Sequence, residues 1–272
     1  MKRLPFVALL TDFGEKDFFV ASLKGVIAGI CPSVQIIDIT HQIPSFDVLS
    51  GSFVLYGAYR YFPSTTVFLA VVDPGVGSER KIIAVKTENY YFVAPDNGLL
   101  TLALQEENIC SVRVLENKKY FLNRRGGFTF EARDKMAPVT AQICMGTPVS
   151  EFGPDIKGYK TLTGTKPSEK NGKIVGKILF VDKFGNCISN IPQSLLVSFR
   201  QKGALPKLEI KGKEIKNFKN NYSSARKGEL FFLVGSLGLI EIALCEESAA
   251  SLLGVGPGDE VCLGDSGNKN AG

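Results

Sequence analysis

A chain of 272 residues, 44% hydrophobic and 22% charged, is long enough for one large or two modest cores, and its composition excludes a fibrous or intrinsically disordered polymer. The net charge of +5 is local, because residues 200 to 229 hold nine Lys/Arg against three Glu and leave the remainder close to neutral. That run lacks the aromatic interleaving of a single-strand binder and reads as a solvated basic face, so no nucleic-acid partner is expected.

Met1-Lys2-Arg3 leads into an apolar run that Asp12 interrupts, too short for a signal segment or a membrane span, and no membrane partner is expected. Phe6 to Leu10 reads as a buried strand ending in Thr11-Asp12-Phe13-Gly14. Phe18 to Ile30 has helical spacing and stops at Cys31-Pro32. Val34 to Ile39 is a second strand, followed by His41 and a helix from Asp47 to Tyr61. Val67 to Val72 is a third strand, broken by Asp73-Pro74-Gly75-Val76-Gly77-Ser78-Glu79-Arg80. Ile82 to Lys86 and Tyr91 to Ala94 read as a hairpin-like pair. Ala94-Pro95-Asp96-Asn97-Gly98-Leu99 turns into a short helix, and Phe128 to Asp134 precedes another helix over Ala137 to Met145. Residues 1–161 thus read as an α/β domain with carboxylates gathered at strand ends.

Leu162 to Gly172 is rich in Thr, Gly, Lys and Pro and is expected to be a linker. From 173 to 272 the pattern changes to short strands between Gly, Asn, Lys and Pro turns: Lys173 to Val181, Lys207 to Ile210, Leu230 to Val234 and Leu239 to Leu244. Leu208 to Ile215 alternates like an exposed edge hairpin. The fold expected is an α/β N-terminal domain, with a central sheet and flanking helices, followed by an all-β, barrel-like C-terminal domain.

The six cysteines (31, 110, 144, 187, 245, 262) form no Cys-x-x-Cys pair, so they indicate neither a zinc site nor a thioredoxin-like motif. They suit packed, reduced thiols in a cytoplasmic protein. No Gly-x-Gly-x-x-Gly opens a helix and no P-loop is present. His41 is the only histidine, and alone it suits a structural hydrogen bond better than a triad or a metal site. What remains is Asp12, Asp73, Glu131 and Asp182, with Arg80, the aromatics Phe46, Phe184 and Tyr222, and the amide Asn186. Ionised carboxylates accept the protons of a ribose diol, aromatic rings stack on a flat purine, and an amide reads its edge. Asp73 and Arg80, taken alone, fit a ligand-handling pair and a surface ion pair equally well.

In series, Thr11-Asp12-Phe13-Gly14, Asp38-Ile39-Thr40-His41, Val72-Asp73-Pro74-Gly75-Val76-Gly77 with Arg80, Ala94-Pro95-Asp96-Asn97-Gly98, Thr129-Phe130 with Arg133-Asp134, Asp182 with Phe184-Gly185-Asn186, and Gly235-Ser236 with Glu241 resemble the S-adenosylmethionine hydroxide adenosyltransferases. This family of S-adenosylmethionine hydrolases is related to fluorinating and chlorinating enzymes. The resemblance spans residues 5 to 265. It implies attack of water on the ribose C5′ of S-adenosylmethionine, giving adenosine and methionine, with no cofactor and no metal. It also implies a homotrimer whose sites join one subunit's N-terminal domain to its neighbour's C-terminal domain. By resemblance Asp12 holds the ribose hydroxyls and Phe46 packs on the substrate. Asp182 takes the methionine ammonium, Phe184 and Tyr222 enclose the adenine, Asn186 bonds its edge, and Ser236 and Glu241 complete the lining. Asp73 and Arg80 handle the water.

One position departs from the pattern. The family reads Phe-His-Gly-Arg-Asp where this chain has Phe130-Glu131-Ala132-Arg133-Asp134, so a carboxylate replaces the third water-handling group. Two acids around one water are expected to raise one pKa of the pair and create a base. Glu131 equally fits a catalytically weak or silent protein that binds adenosine or S-adenosylmethionine. Halide transfer is disfavoured, because the halogenating relatives lack the arginine that matches Arg80.

Overall fold

The computed structural model describes residues 5–122, 129–201 and 205–266; Met1-Lys2-Arg3 and Phe128 lie outside them. The chain divides into two compact units, Met1–Leu162 and Thr163–Gly272.

The first unit is built on a six-stranded sheet. Its strands are β1 (Phe6–Thr11), β2 (Gln35–Thr40), β3 (Val67–Val71), β4 (Ile82–Thr87), β5 (Tyr91–Pro95) and β6 (Ile109–Val114), in the order β2-β1-β3-β5-β4-β6. β2, β1, β3 and β5 run parallel, while β4 lies antiparallel between β5 and β6. β3 is fully buried because both sheet faces are covered, as its unbroken apolar run demands. Val67, Leu69 and Val71 point into one core with α1 (Phe19–Ile30) and α4 (Ala137–Cys144). Phe68, Ala70 and Val72 point into a second core with α2 (Val48–Ala58) and α3 (Thr101–Leu104). This alternation fixes the strand's register and so places Asp73, two residues past its end, at the carboxyl end of an interior strand.

The second unit is an antiparallel sheet. Its strands are β7 (Ser168–Lys170), β8 (Lys173–Val181), β9 (Cys187–Pro192), β10 (Pro206–Ile210), β11 (Lys213–Ile215), β12 (Leu230–Val234), β13 (Leu239–Leu244) and β14 (Glu260–Asp265). The order is β11-β10-β14-β8-β9-β13-β12, and β7 pairs with β8. A bridge between Phe218, just past β11, and Phe232 of β12 brings the two ends together, so the sheet is a nearly closed barrel. Phe232, Ile240 and Ile242 fill its interior, while Phe231, Leu233 and Ala243 pack on the opposite face. Two helices, α5 (Gln193–Gln201) and α6 (Ala249–Leu253), accompany the strands, and Ser168–Lys170, within the stretch expected to link the units, is a strand of this sheet. The basic run is partly neutralised: Lys207, Lys211, Lys216, Lys219 and Lys227 each lie against a carboxylate.

Candidate active site

A cavity of about 300 Å³ opens at the ends of β1 and β3 in the first unit. Asp12 and Phe13 follow β1, Ser45 and Phe46 precede α2, Asp73 and Val76 follow β3, and Thr129 to Ala132 lead into α4; all line it. Asp73 is returned to by its own loop. Ser78 donates both its amide and hydroxyl to the Gly75 carbonyl and accepts the Arg80 amide at 3.3 Å, which turns Arg80 back over the strand end. Gly77, at φ +80, supplies the left-handed residue this turn requires. Arg80 Nε then donates to Asp73 Oδ1 at 3.0 Å and Oδ2 at 2.8 Å, and its Nη2 also bonds Asp73. Both side chains are only 5% exposed, so the pair is buried rather than a surface contact.

The same Nη2 donates to Glu131 Oε2 at 2.5 Å. Glu131 caps a five-residue π-helical turn, Ala132–Met136, that runs into α4. Such turns carry an extra residue per hydrogen-bonded loop and recur at functional sites. From this turn Lys135 reaches back one turn and donates to Glu131 Oε1 at 2.5 Å. Burial opposes ionisation of Glu131, but the hydrogen bonds from Lys135 and Arg80 and their positive charges outweigh it, and the carboxyl lies below its ordinary range. Two acids around one water are expected to raise one pKa of the pair; at Glu131 the shift runs the other way, because two cations flank it. Lys135 escapes the sequence reading because the motif ends at Asp134, although its i+4 spacing from Glu131 is a signal that could have found it. Arg80 is not among the lining residues. It ties together two acids that are.

Asp12 Oδ2 accepts the Phe46 amide at 2.9 Å. Phe46 is 68% exposed and holds φ +69, a left-handed conformation that an aromatic residue rarely adopts. Burial raises the Asp12 pKa, opposed by amide hydrogen bonds and assisted by the charge of Asp73. Behind this loop His41 is buried; its Nδ1 lies 2.9 Å from Thr11 Oγ1 and its Nε2 3.1 Å from Asp38 Oδ1, a structural role that agrees with its reading from sequence. Arg133 and Asp134 bond each other twice, with Arg133 over the Phe130 ring at 5.0 Å, and so steady a wall of the cavity.

The second unit has its own cavity, about 730 Å³, lined among others by Asp182, Phe184, Asn186, Tyr222 and Phe231. Asp182 Oδ1 accepts the amides of Phe184 and Asn186, and its Oδ2 accepts Asn186 Nδ2, each at 2.9 Å. This closes the β8–β9 turn and presents Phe184 75% exposed. Tyr222 donates its hydroxyl to Glu241 Oε2 at 2.6 Å. Burial, the Glu241 hydrogen bond and its charge all push the Tyr222 pKa up; burial also raises that of Glu241. Glu241 reaches this position across Gly235, where a β-carbon would lie 1.7 Å from its Oε1. Ser236 is exposed in the β12–β13 turn and is not among the lining residues. The site residues expected from sequence therefore form two groups: Asp12, Phe46, Asp73, Arg80 and Glu131 in the first unit, and Asp182, Phe184, Asn186, Tyr222 and Glu241 in the second.

Residues 7–153 match the family model of the SAM hydroxide adenosyltransferase N-terminal domain, and residues 176–262 match that of its C-terminal domain. The (R)-S-adenosyl-L-methionine hydrolase of Salinispora arenicola is 34% identical over 96% of this chain and 98% of its own length. A fluorinase of an Actinoplanes species is 28% identical over 69% and 72% of the two chains. Among solved structures, that of an uncharacterized conserved protein from Thermotoga maritima is similar with a TM-score of 0.87 and 39% identity, over 95% of this chain and 99% of that one.

Proposed function

The chain belongs to the SAM hydroxide adenosyltransferase family, and from that premise we propose that it hydrolyses S-adenosyl-L-methionine to adenosine and L-methionine by attack of water on the ribose C5′. The observation that carries the reading is the buried Asp73–Arg80–Glu131 cluster, whose two carboxylates face the cavity at the ends of β1 and β3. The names of its curated relatives extend the reading to the (R) form of the substrate.

Asp12 accepts the ribose hydroxyls, with Phe46 packed over the substrate. Asp182 takes the methionine ammonium, Phe184 and Tyr222 enclose the adenine, and Asn186 bonds its edge; Ser236 and Glu241 stand at the family's ligand-lining motif, with Glu241 acting through its hydrogen bond from Tyr222. A water hydrogen-bonded to Asp73 and Glu131 attacks C5′ opposite sulfur. As the new C–O bond forms, the C–S bond breaks and its electron pair stays on sulfur, so methionine departs as a neutral thioether and needs no acid. The water's proton passes to a carboxylate. Arg80 works through the two acids, holding both in place. The anionic wall also attracts the cationic sulfonium and repels halide ions.

The two halves of the site belong to different units, and Phe46 and Phe184 are each exposed. The family resemblance carries the three-fold count, and on it we extend the proposal to a homotrimer in which one copy's first unit works with a neighbour's second unit. The molar mass in solution is then three times the 29.5 kDa of the chain. The six cysteines are all free, which supports a reducing, cytoplasmic setting, and no helix among the described residues is long and apolar enough to cross a membrane.

Purified protein incubated with S-adenosylmethionine and resolved by chromatography yields adenosine well above an Arg80→Ala control. Calorimetric binding without turnover in the wild type would instead mark a silent adenosine or S-adenosylmethionine binder.

A further inference from the structure

We propose that Lys135 is a positioning residue for the reaction: with Arg80 it clamps Glu131 from both sides, so that a carboxylate serves where the family carries a histidine. The consequence for catalysis rests on the hydrolysis reading above; the clamp itself does not.

The geometry is specific. Glu131 is 9% exposed and each of its oxygens has one cationic donor, Lys135 Nζ on Oε1 and Arg80 Nη2 on Oε2, both at 2.5 Å. Lys135 comes from Glu131's own π turn, while Arg80 comes from the loop after β3 and also grips Asp73. The acids facing this cluster are Asp73 from the same loop and Asp12 from the end of β1, which shares the cavity wall. Without Lys135, one guanidinium would have to neutralise two buried carboxylates with a third acid nearby, and one of them would take up a proton. With Lys135, Asp73, Arg80, Glu131 and Lys135 sum to zero. A protonated Glu131 would donate to the attacking water rather than accept from it, which is the wrong direction for making a nucleophile. Two donors also fix the plane of the carboxylate, which a single bond would leave free to rotate. Lys135 is itself about one-third exposed, so its substitution leaves the core intact.

The test is a titration of carbon-13 carboxyl-labelled glutamate, with the Glu131 resonance assigned by its absence in Glu131→Gln. In Lys135→Met the Glu131 midpoint moves upward, and in Lys135→Arg it returns toward the wild-type value. In parallel, the acid limb of the kcat profile moves upward in Lys135→Met. At neutral pH kcat falls about tenfold while KM changes by less than about twofold, a fraction of what a positioned base supplies. A Lys135→Met protein whose Glu131 titrates at the wild-type pH overturns the clamp whatever its activity. An upward midpoint in a protein that forms no adenosine leaves the clamp standing and overturns the hydrolysis reading.

Discussion

Replacing Arg80 with methionine keeps most of the side-chain volume and removes the charge that Asp73 and Glu131 share. Because the side chains of Arg80 and Asp73 are 5% exposed and that of Glu131 11%, solvent cannot substitute for the guanidinium, and breaking a buried pair of this kind costs about 3–5 kcal/mol. For a unit of this size that corresponds to a fall in melting temperature of roughly 6–20 °C. The loss depends on pH with a definite sign. Glu131 has its folded pKa depressed, so its contribution is present above the ordinary glutamate range and fades as pH falls through the folded value. The variant's deficit is therefore largest near pH 7 and shrinks on acidification, when one orphaned carboxylate protonates. Urea unfolding of both proteins across this range measures it. A deficit below about 1 kcal/mol at neutral pH, or one that does not change with pH, would refute the buried-cluster reasoning.

Three further outcomes follow from the geometry. Phe46→Gly removes a strained left-handed φ of +69 from an exposed position, so stability rises by up to about 1 kcal/mol while KM for S-adenosylmethionine increases, read by thermal melts and kinetics on one preparation. Gly235→Ala places a β-carbon on Glu241, displaces it from Tyr222 and weakens adenosine binding by about tenfold in calorimetry, the scale of one lost charge-assisted hydrogen bond. Burial raises the Glu241 pKa, so the stabilisation that its proton supplies is present at acid pH and lost as pH rises through the folded value. Glu241→Gln keeps an acceptor for Tyr222 and gains on the wild type as pH rises, as unfolding at several pH values would detect.

Much of the fold and half of the site are legible in residue patterns. The unbroken run Val67–Val72 reads as a buried strand, and its abrupt end at Asp73 coincides with the mouth of the first cavity. What escapes does so for physical reasons. β9, with the sequence Cys-Ile-Ser-Asn-Ile-Pro, looks like a loop because Ser189 and Asn190 are polar. In the barrel Ser189 donates to the Ile240 carbonyl, and Asn190 Oδ1 accepts the Lys177 amide at 2.8 Å, so both are buried at no unpaired cost. The π turn Ala132–Met136 has no apolar period to announce it. Glu131 is visible as a departure from the family's pattern, but its charge state depends on Lys135 and Arg80 converging from two elements. Only their packing reveals that.

If water, activated beside Asp73 and Glu131, replaces sulfur at C5′, the oxygen it brings stays with adenosine. The direct measurement is a single-turnover reaction in oxygen-18 water with mass spectrometry of both products. One oxygen-18 then appears in the 5′-hydroxyl of adenosine and none in methionine. Unlabelled adenosine, or no adenosine from protein that binds S-adenosylmethionine, would contradict it.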